Sequence, residues 1–283
     1  MSRNKIGVAI FSLGLLFLLA SPSPPTSSAP PAGEPQGMVT DSLGGEMVLV
    51  SAGPFLMGAE EEEGLPDELP AHRVHLDEFY IDRCEVAAAD FARFLNEKGN
   101  PRLAYFREDE GSTILKIADR YRPRPGYEKH PATNVSWLGA SEYARWLGKR
   151  LPTEAEWEKA AKGGQDRKYP WGNDPPDEKK ARFGRSLLGY GELMPVRSLP
   201  EGASPYGCYH LAGNVWEWVA DWYGEDYYRV SPEKNPPGPA AGKARVIRGG
   251  AWYSNARTIR AAARMRFNPE SRNAQNGFRC AKG

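Results

Sequence analysis

Sulfur is scarce in this chain. Its 283 residues contain three cysteines, Cys84, Cys208 and Cys280. None belongs to a C-x-x-C pair, which argues against a redox dithiol or a zinc knuckle, and three scattered thiols cannot build a disulfide framework. In an oxidising compartment the odd count allows one bridge and one free thiol, and the sequence does not choose the pair. Histidine is equally sparse, with four in all. His72 and His75 stand three apart in "HRVH", and on a strand that spacing sends them to opposite faces, so they cannot share a metal. His130 precedes a proline in a loop. No H-E-x-x-H, no serine–histidine–aspartate order and no phosphate-cradling glycine loop is present. Neither sign of charge dominates: 37 lysines and arginines face 36 aspartates and glutamates. That balance excludes a global pull toward nucleic acid or anionic lipid.

Long apolar runs are missing too, apart from Ile6–Ala20. A short basic start precedes that run and "SPSPPTSSAPPAG" follows it, the order of a signal peptide over residues 1–20. The run is short for a membrane span, and an uncleaved anchor is the alternative. Residues 21–40 read as a disordered proline- and serine-rich tether, and 41–283 as one domain. Loss of the leader removes Arg3 and Lys5 and leaves 35 basic residues against 36 acidic ones. The expectation is an exported protein, periplasmic or secreted.

Glycine and proline are plentiful, at 30 and 25, and predict many turns and ordered loops. "GEMVLVSAGPFLMG" reads as a hairpin turning at Ala52–Pro54, and "HRVHLDEFYIDRCEV" as a strand. "EEEEGLPDE" reads as a solvated acidic turn. "AAADFARFLNEKGN" is an amphipathic helix with Phe91, Phe94 and Leu95 on one face and Gly99 as its stop. Residues 100–130 read as an irregular insertion loop. Ser136 caps a second helix carrying Trp137, Tyr143, Trp146 and Leu147. Thr153 and Glu156 have capping-box spacing for a third, which the Gly163–Gly164 pair ends. Short strands and loops follow from Ser198, with Trp216, Trp218 and Trp222 as core candidates.

Six ordered blocks carry the identity of the chain: "MVLVSAGPFLMG", "FYIDRCEVAAADFARFLN", "HPATNVSWLGASEYARWLGKRLPTEAEWEKAAKGG", "YPWGN", "SPYGCYHLAGNVWEWVADWY", and "RVIRGGAWYSN" continuing through "RAAARMRFNP" to "NGFRCAKG". Together they closely resemble the formylglycine-generating enzyme (sulfatase-modifying factor) family from about Met47 to Cys280. The resemblance implies an α+β class: a single compact domain, a C-type-lectin-like variant with little regular secondary structure. It does not by itself fix an activity.

The copper-dependent members of that family oxidise a sulfatase cysteine to formylglycine. They use two cysteines just after the RGG-aromatic turn, whose soft thiolates suit monovalent copper. In this chain Ser254 stands at the first position, and the second falls near Ile259. A hydroxyl is a hard, weak ligand and an alkyl group is none, so copper is not expected. The family's structural partner for Cys280 falls at Ala144, which removes that bridge. Its calcium ligands fall at His210, Gly213, Val215 and Glu217, where imidazole is a poor donor, so at most weak calcium binding is implied. A second calcium site falls at Arg182 and is expected empty.

Ligand-groove candidates are Trp252, Ser254, Asn255, Arg248, Arg260 and Arg264. The arginines could bind an anion through forked hydrogen bonds or pair with internal acids. Trp252 could stack on a ligand or pack in the core. No catalytic residue is assignable. The reading is a binding or assembly module for an envelope protein, peptide or glycan. The alternatives are an oxidoreductase of the non-heme iron or siderophore-maturation type, and a formylglycine-generating oxidase.

Overall fold

Two four-stranded sheets, two two-stranded ones and three short helices make up the regular structure of the described residues, and long loops join them. The computed structural model describes Met1, residues 37–186 and residues 192–283. The expected leader and most of the expected tether lie outside the described residues. Residues Glu34–Gly283 form one compact unit.

The first sheet runs β1 (Val39–Thr40), β2 (Glu46–Val50), β5 (Phe79–Asp82), β12 (Ala281–Lys282), in that spatial order. Each of its pairs is antiparallel. The expected hairpin across Ala52–Pro54 does not form. Both edges of β2 are taken, by β1 and β5. The chain therefore leaves the sheet at Gly53, whose φ of 130° is open to glycine and costly for other residues. It then starts β3 (Gly53–Met57), which pairs with β4 (His72–Leu76) instead. Lys159 holds the crossing by donating from Nζ to the carbonyls of Ser51 and Gly53 at 2.7 and 2.8 Å. The stretch read as one strand from His72 is thus two, β4 and β5. They are broken at Asp77–Glu78, where Asn235 Oδ1 accepts from the Asp77 amide.

Helix α1 (Ala88–Lys98) buries Phe91, Phe94 and Leu95, and Gly99 ends it with a positive φ of 78°. The expected insertion loop is partly ordered as a hairpin, β6 (Ile114–Ile117) and β7 (Arg120–Pro123). Two asparagines pin it: Asn96 to the Tyr121 backbone and Asn100 to the Tyr121 hydroxyl. Helix α2 (Trp137–Trp146) begins at Ser136, whose Oγ accepts from the Gly139 amide at 3.0 Å. Helix α3 (Glu154–Lys162) has the expected capping box between Thr153 and Glu156 and a left-handed Gly163 at its end.

The second sheet has the order β10 (Arg264–Phe267), β9 (Arg245–Arg248), β8 (Trp216–Trp222), β11 (Asn276–Phe278). Its β8–β11 pair is parallel, and a register irregularity interrupts β8–β9 between Trp218 and Trp222. Trp216 and Trp218 are buried as expected, whereas Trp222 is half-buried. Trp222 and Trp137 flank the guanidinium of Arg245 at 3.5 and 3.8 Å from their ring centroids. All nine residues of α3 are buried, including Glu154, Glu158, Lys159 and Lys162. Buried charges persist only where they are paired and hydrogen-bonded. The search for their partners leads to the glycine turn.

Candidate functional site

Strand β9 runs into Gly249 and Gly250, with φ of 92° and 78°. Space as well as backbone angle demands glycine here. A Cβ on Gly249 would meet the Trp157 ring at 3.2 Å, and one on Gly250 would lie 2.7 Å from Ile259 Cγ2 and 3.3 Å from Ser254 Cβ. The two sequence positions singled out after the turn therefore converge in space, beside Gly250.

Neither offers a soft donor. Ser254 Oγ accepts from the Ala251 amide at 3.0 Å while the Ser254 amide donates to the Ala251 carbonyl at 2.8 Å, so the hydroxyl closes its own turn. Ile259 is fully buried in a small apolar cluster with Tyr169, Ala181 and Ala212. A neighbouring segment seals the turn: the Gly184 amide donates to the Ser254 carbonyl at 2.8 Å and the Arg185 amide to the Trp252 carbonyl at 2.9 Å. Monovalent copper needs thiolate-like ligands, and these two side chains do not fit it. Asn255 is exposed and its side chain accepts from the Thr258 amide and hydroxyl. Trp252 is buried, packed in the main core and edge-on to Tyr253, so its ring is not a free stacking platform. Its indole N–H nevertheless has no hydrogen-bond partner.

The arginines separate into two kinds. Arg248 is wholly buried; its Nη1 donates to Glu154 Oε1 at 2.9 Å and its Nη2 to Glu158 Oε2 at 2.6 Å. Arg264 grips both oxygens of Glu154, at 2.7 and 2.9 Å, and donates to the Asp67 carbonyl at 2.6 Å. Lys162 completes the network at Glu158, 2.9 Å away. Arg248 and Arg264 are the counter-ions of α3, and the expectation that they line a ligand groove is corrected. Arg260 differs. Its Nη2 contacts both oxygens of Glu68, at 3.0 and 2.8 Å, and its Nε donates to the Arg257 carbonyl at 2.8 Å. It also lines a cavity of about 340 Å³ with Gly58, Glu63, Arg167, Lys168 and Asn173.

The calcium candidates are arranged differently from expectation. Glu217 is buried, and Arg279 grips its two oxygens at 2.6 and 2.7 Å while the Trp157 indole donates to it at 2.8 Å. Burial alone would pull the Arg279 guanidinium down, but Glu217 more than reverses this and holds it above its ordinary range. Gly213 donates its amide to the Gly249 carbonyl at 2.8 Å, and Val215 is a buried core residue. His210 turns away to Ser198 Oγ and the Pro195 carbonyl, 3.1 Å from each. Burial lowers its pKa to about 4, so its imidazole is neutral at pH 7. At the second calcium position, Arg182 donates to the Glu192 carbonyl at 2.5 Å and carboxylate at 2.9 Å. The guanidinium thus ties two loop segments together. Ala144 and Cys280 are both buried, and Cys280 is a free thiol.

Two features escaped the sequence reading. Glu85 is a buried acid whose oxygens both accept from the Asn214 amide. Burial, reinforced by Glu217, raises its pKa well above the usual carboxylate range. Asp221 is the second buried acid. It accepts from the Glu154 amide at 2.8 Å at the start of α3, and burial, then Glu154, push its pKa up to about 8. Nothing in the neighbouring residues signals either. Cys84 and Glu85 line a further cavity of about 480 Å³ with Asp82, Asp90 and Tyr143.

Comparison with known proteins agrees with this architecture. Residues 35–283 match the family described as "Sulfatase-modifying factor enzyme 1-like domain". The chain is 44% identical over 244 residues to the serine/threonine-protein kinase pkn1 of Chlamydia caviae, covering 84% of this chain and 38% of that protein. It thus spans well under half the length of that relative. It is 36% identical to the formylglycine-generating enzyme of Streptomyces coelicolor, covering 93% of this chain and 96% of the enzyme. The structure of PvdO from Pseudomonas aeruginosa superposes with a TM-score of 0.72 at 30% identity, over 89% of this chain and 99% of PvdO. The chain belongs to the sulfatase-modifying factor family.

Proposed function

We propose that this chain is a binding or assembly module built on the sulfatase-modifying factor fold, without copper-dependent oxidation. One observation carries the reading: Ser254 and Ile259 meet beside Gly250, yet one is a hydroxyl engaged by the Ala251 amide and the other a buried alkyl group. The matched part of the chlamydial kinase aligns with a chain that has no phosphate-cradling glycine loop. The chain matches 38% of that kinase's length, and phosphoryl transfer is not assigned to it.

The ligand is an acid-bearing peptide, glycan or envelope protein, met at the 340 Å³ cavity. Among Arg248, Arg260 and Arg264, Arg260 lines that cavity, with Arg167 and Lys168 beside it; Glu60, Glu63 and Asp166 share the lining and Glu63 pairs with Lys168 at 2.6 Å, so an acidic ligand binds by displacing Glu63. Export by the N-terminal segment would bring the module to such partners. Calcium binding at the Gly213 and Val215 carbonyls would have to draw Glu217 away from Arg279, so affinity there is weak.

The test is chemical. Purified protein incubated with a Cys-x-Pro-x-Arg sulfatase peptide, with and without copper, leaves the cysteine unchanged by mass spectrometry. Formylglycine in the product would overturn the reading. Exchange of Lys168 for alanine reduces capture of acidic ligands at least several-fold while leaving the melting temperature unchanged; equal capture by both proteins would remove the cavity from the proposal.

A further inference from the structure

The sequence leaves the pairing of three cysteines open, and the structure contains all three as free thiols. Their placement is not equivalent. Cys280 precedes β12, whose register with β5 sets it opposite Asp82. Its side chain packs in the main core with Phe278 and Tyr143. Cys208 belongs to the other apolar cluster, with Ala160 and Val219. The neighbouring Arg279 reaches the region of Cys84 and Cys208, donating to the carbonyls of Arg83 at 3.3 Å and Tyr209 at 2.7 Å.

Cys84 and Cys208 lie on two segments laced together. The Tyr209 amide donates to the Arg83 carbonyl at 2.8 Å. Arg83 Nε donates to the Gly207 carbonyl at 3.1 Å, and the Arg83 guanidinium lies over the Tyr209 ring. Standard backbone dimensions then hold the Cα atoms of Cys84 and Cys208 within about 8 Å of each other. Disulfides span about 4.4–6.8 Å between Cα atoms. Both residues sit outside helices and strands, where a small shift is available without breaking a ladder. Cys84 is partly exposed and lines the 480 Å³ cavity, so a small oxidant can reach it.

We propose that Cys84 and Cys208 are the pair that forms a disulfide on oxidation, leaving Cys280 as a permanently free thiol. In the reaction two S–H bonds break and one S–S bond forms. The two electrons and two protons pass to a small-molecule disulfide, which is reduced to two thiols by way of a mixed disulfide at Cys84. The bond is slow to form at neutral pH. Burial, with smaller contributions from Glu85 and Cys208, pushes the Cys84 thiol up to about 12, and the thiolate is the attacking species.

The full chain is incubated overnight with oxidised glutathione, alkylated, and digested without reduction. The expected product is a linked Cys84–Cys208 peptide, with Cys280 alkylated only after unfolding. The link raises the melting temperature by about 5–10 °C through closure of a long loop, and dithiothreitol reverses the shift. Cys280→Ser retains both results and Cys208→Ser loses both. A bridge that includes Cys280, or a folded protein in which Cys84 ends only as the glutathione adduct, would overturn the pairing. Neither outcome bears on copper chemistry or on the Arg260 cavity.

Discussion

The turn beside Gly250 and the wall around Cys84 are built from opposite principles. At the turn the main polar groups are engaged, Ser254 by the Ala251 amide, Arg248 by Glu154 and Glu158, Arg264 by Glu154, and the Trp252 indole N–H is the exception. At the wall, titratable groups line open space: Cys84 and Glu85 face a 480 Å³ cavity, as does Asp90, whose pKa burial raises. The corner where Ser254 and Ile259 meet is sealed by the Gly184 and Arg185 amides, whereas Cys84 and Asp90 border open space. Family membership fixes where the turn lies and leaves open what the turn does.

The sharpest way to break this comparison is to remove the counter-ion beneath the turn. Arg248→Ala removes one of the two counter-ions from each of Glu154 and Glu158, leaving Arg264 alone on the first and Lys162 alone on the second. It costs about 3–5 kcal/mol, seen as a large fall in the denaturation midpoint; a loss below about 1 kcal/mol would show that the turn is not charge-locked. Next is packing: Ile259→Ala costs about 2–4 kcal/mol as a buried cavity mutation. Ser254→Ala costs only about 1 kcal/mol, the loss of one internal hydrogen bond. The reverse ranking in chemical denaturation would mean that Ser254 does more than close its turn.

The pH dependence comes third, at up to about 1.4 kcal/mol per pH unit for each proton. His210 has a folded pKa of about 4, below its ordinary 6.5. Between these values the unfolded chain binds the proton and the folded chain does not, so stability falls as pH drops from 6.5 toward 4. Asp221 runs the other way: its folded pKa of about 8 lies above 3.8. The folded state holds its proton across that window, and stability falls as pH rises from about 4 to 8. In a melting-temperature profile, His210→Gln removes the loss of stability between pH 6.5 and 4, and Asp221→Asn removes the loss between about pH 4 and 8. Profiles unchanged by both substitutions would refute these assignments. The smallest effect is that of calcium: millimolar calcium shifts the melting temperature by less than about 1 °C, and a larger rise would show that Glu217 can leave Arg279.

Local signals were read well because their physics is local. The Ser136 cap, the Thr153–Glu156 box and the Gly99 and Gly163 stops each depend on atoms within a few residues, and each is present. Pairing was read poorly. β2 and β3 are adjacent in sequence and alternate in the manner of a hairpin, but β5 already occupies the edge that β3 would need. The Asn96 and Asn100 contacts that order the β6–β7 hairpin likewise join separate segments. The arginines could not be sorted into ligand binders and counter-ions, because the acids that engage Arg248 lie ninety or more positions away.

The sequence by itself carried the resemblance of six ordered blocks to the sulfatase-modifying factor family, and it determined that Ser254 and Ile259 supply no soft ligand, since donor identity belongs to the side chain whatever its setting. Only the tertiary structure decided that those two side chains meet beside Gly250, that Arg248 and Arg264 serve helix α3 while Arg260 lines a cavity, and that the segments carrying Cys84 and Cys208 are bonded side by side. Charge pairing and thiol proximity are properties of distance between remote segments, and that distance exists only once the chain has folded.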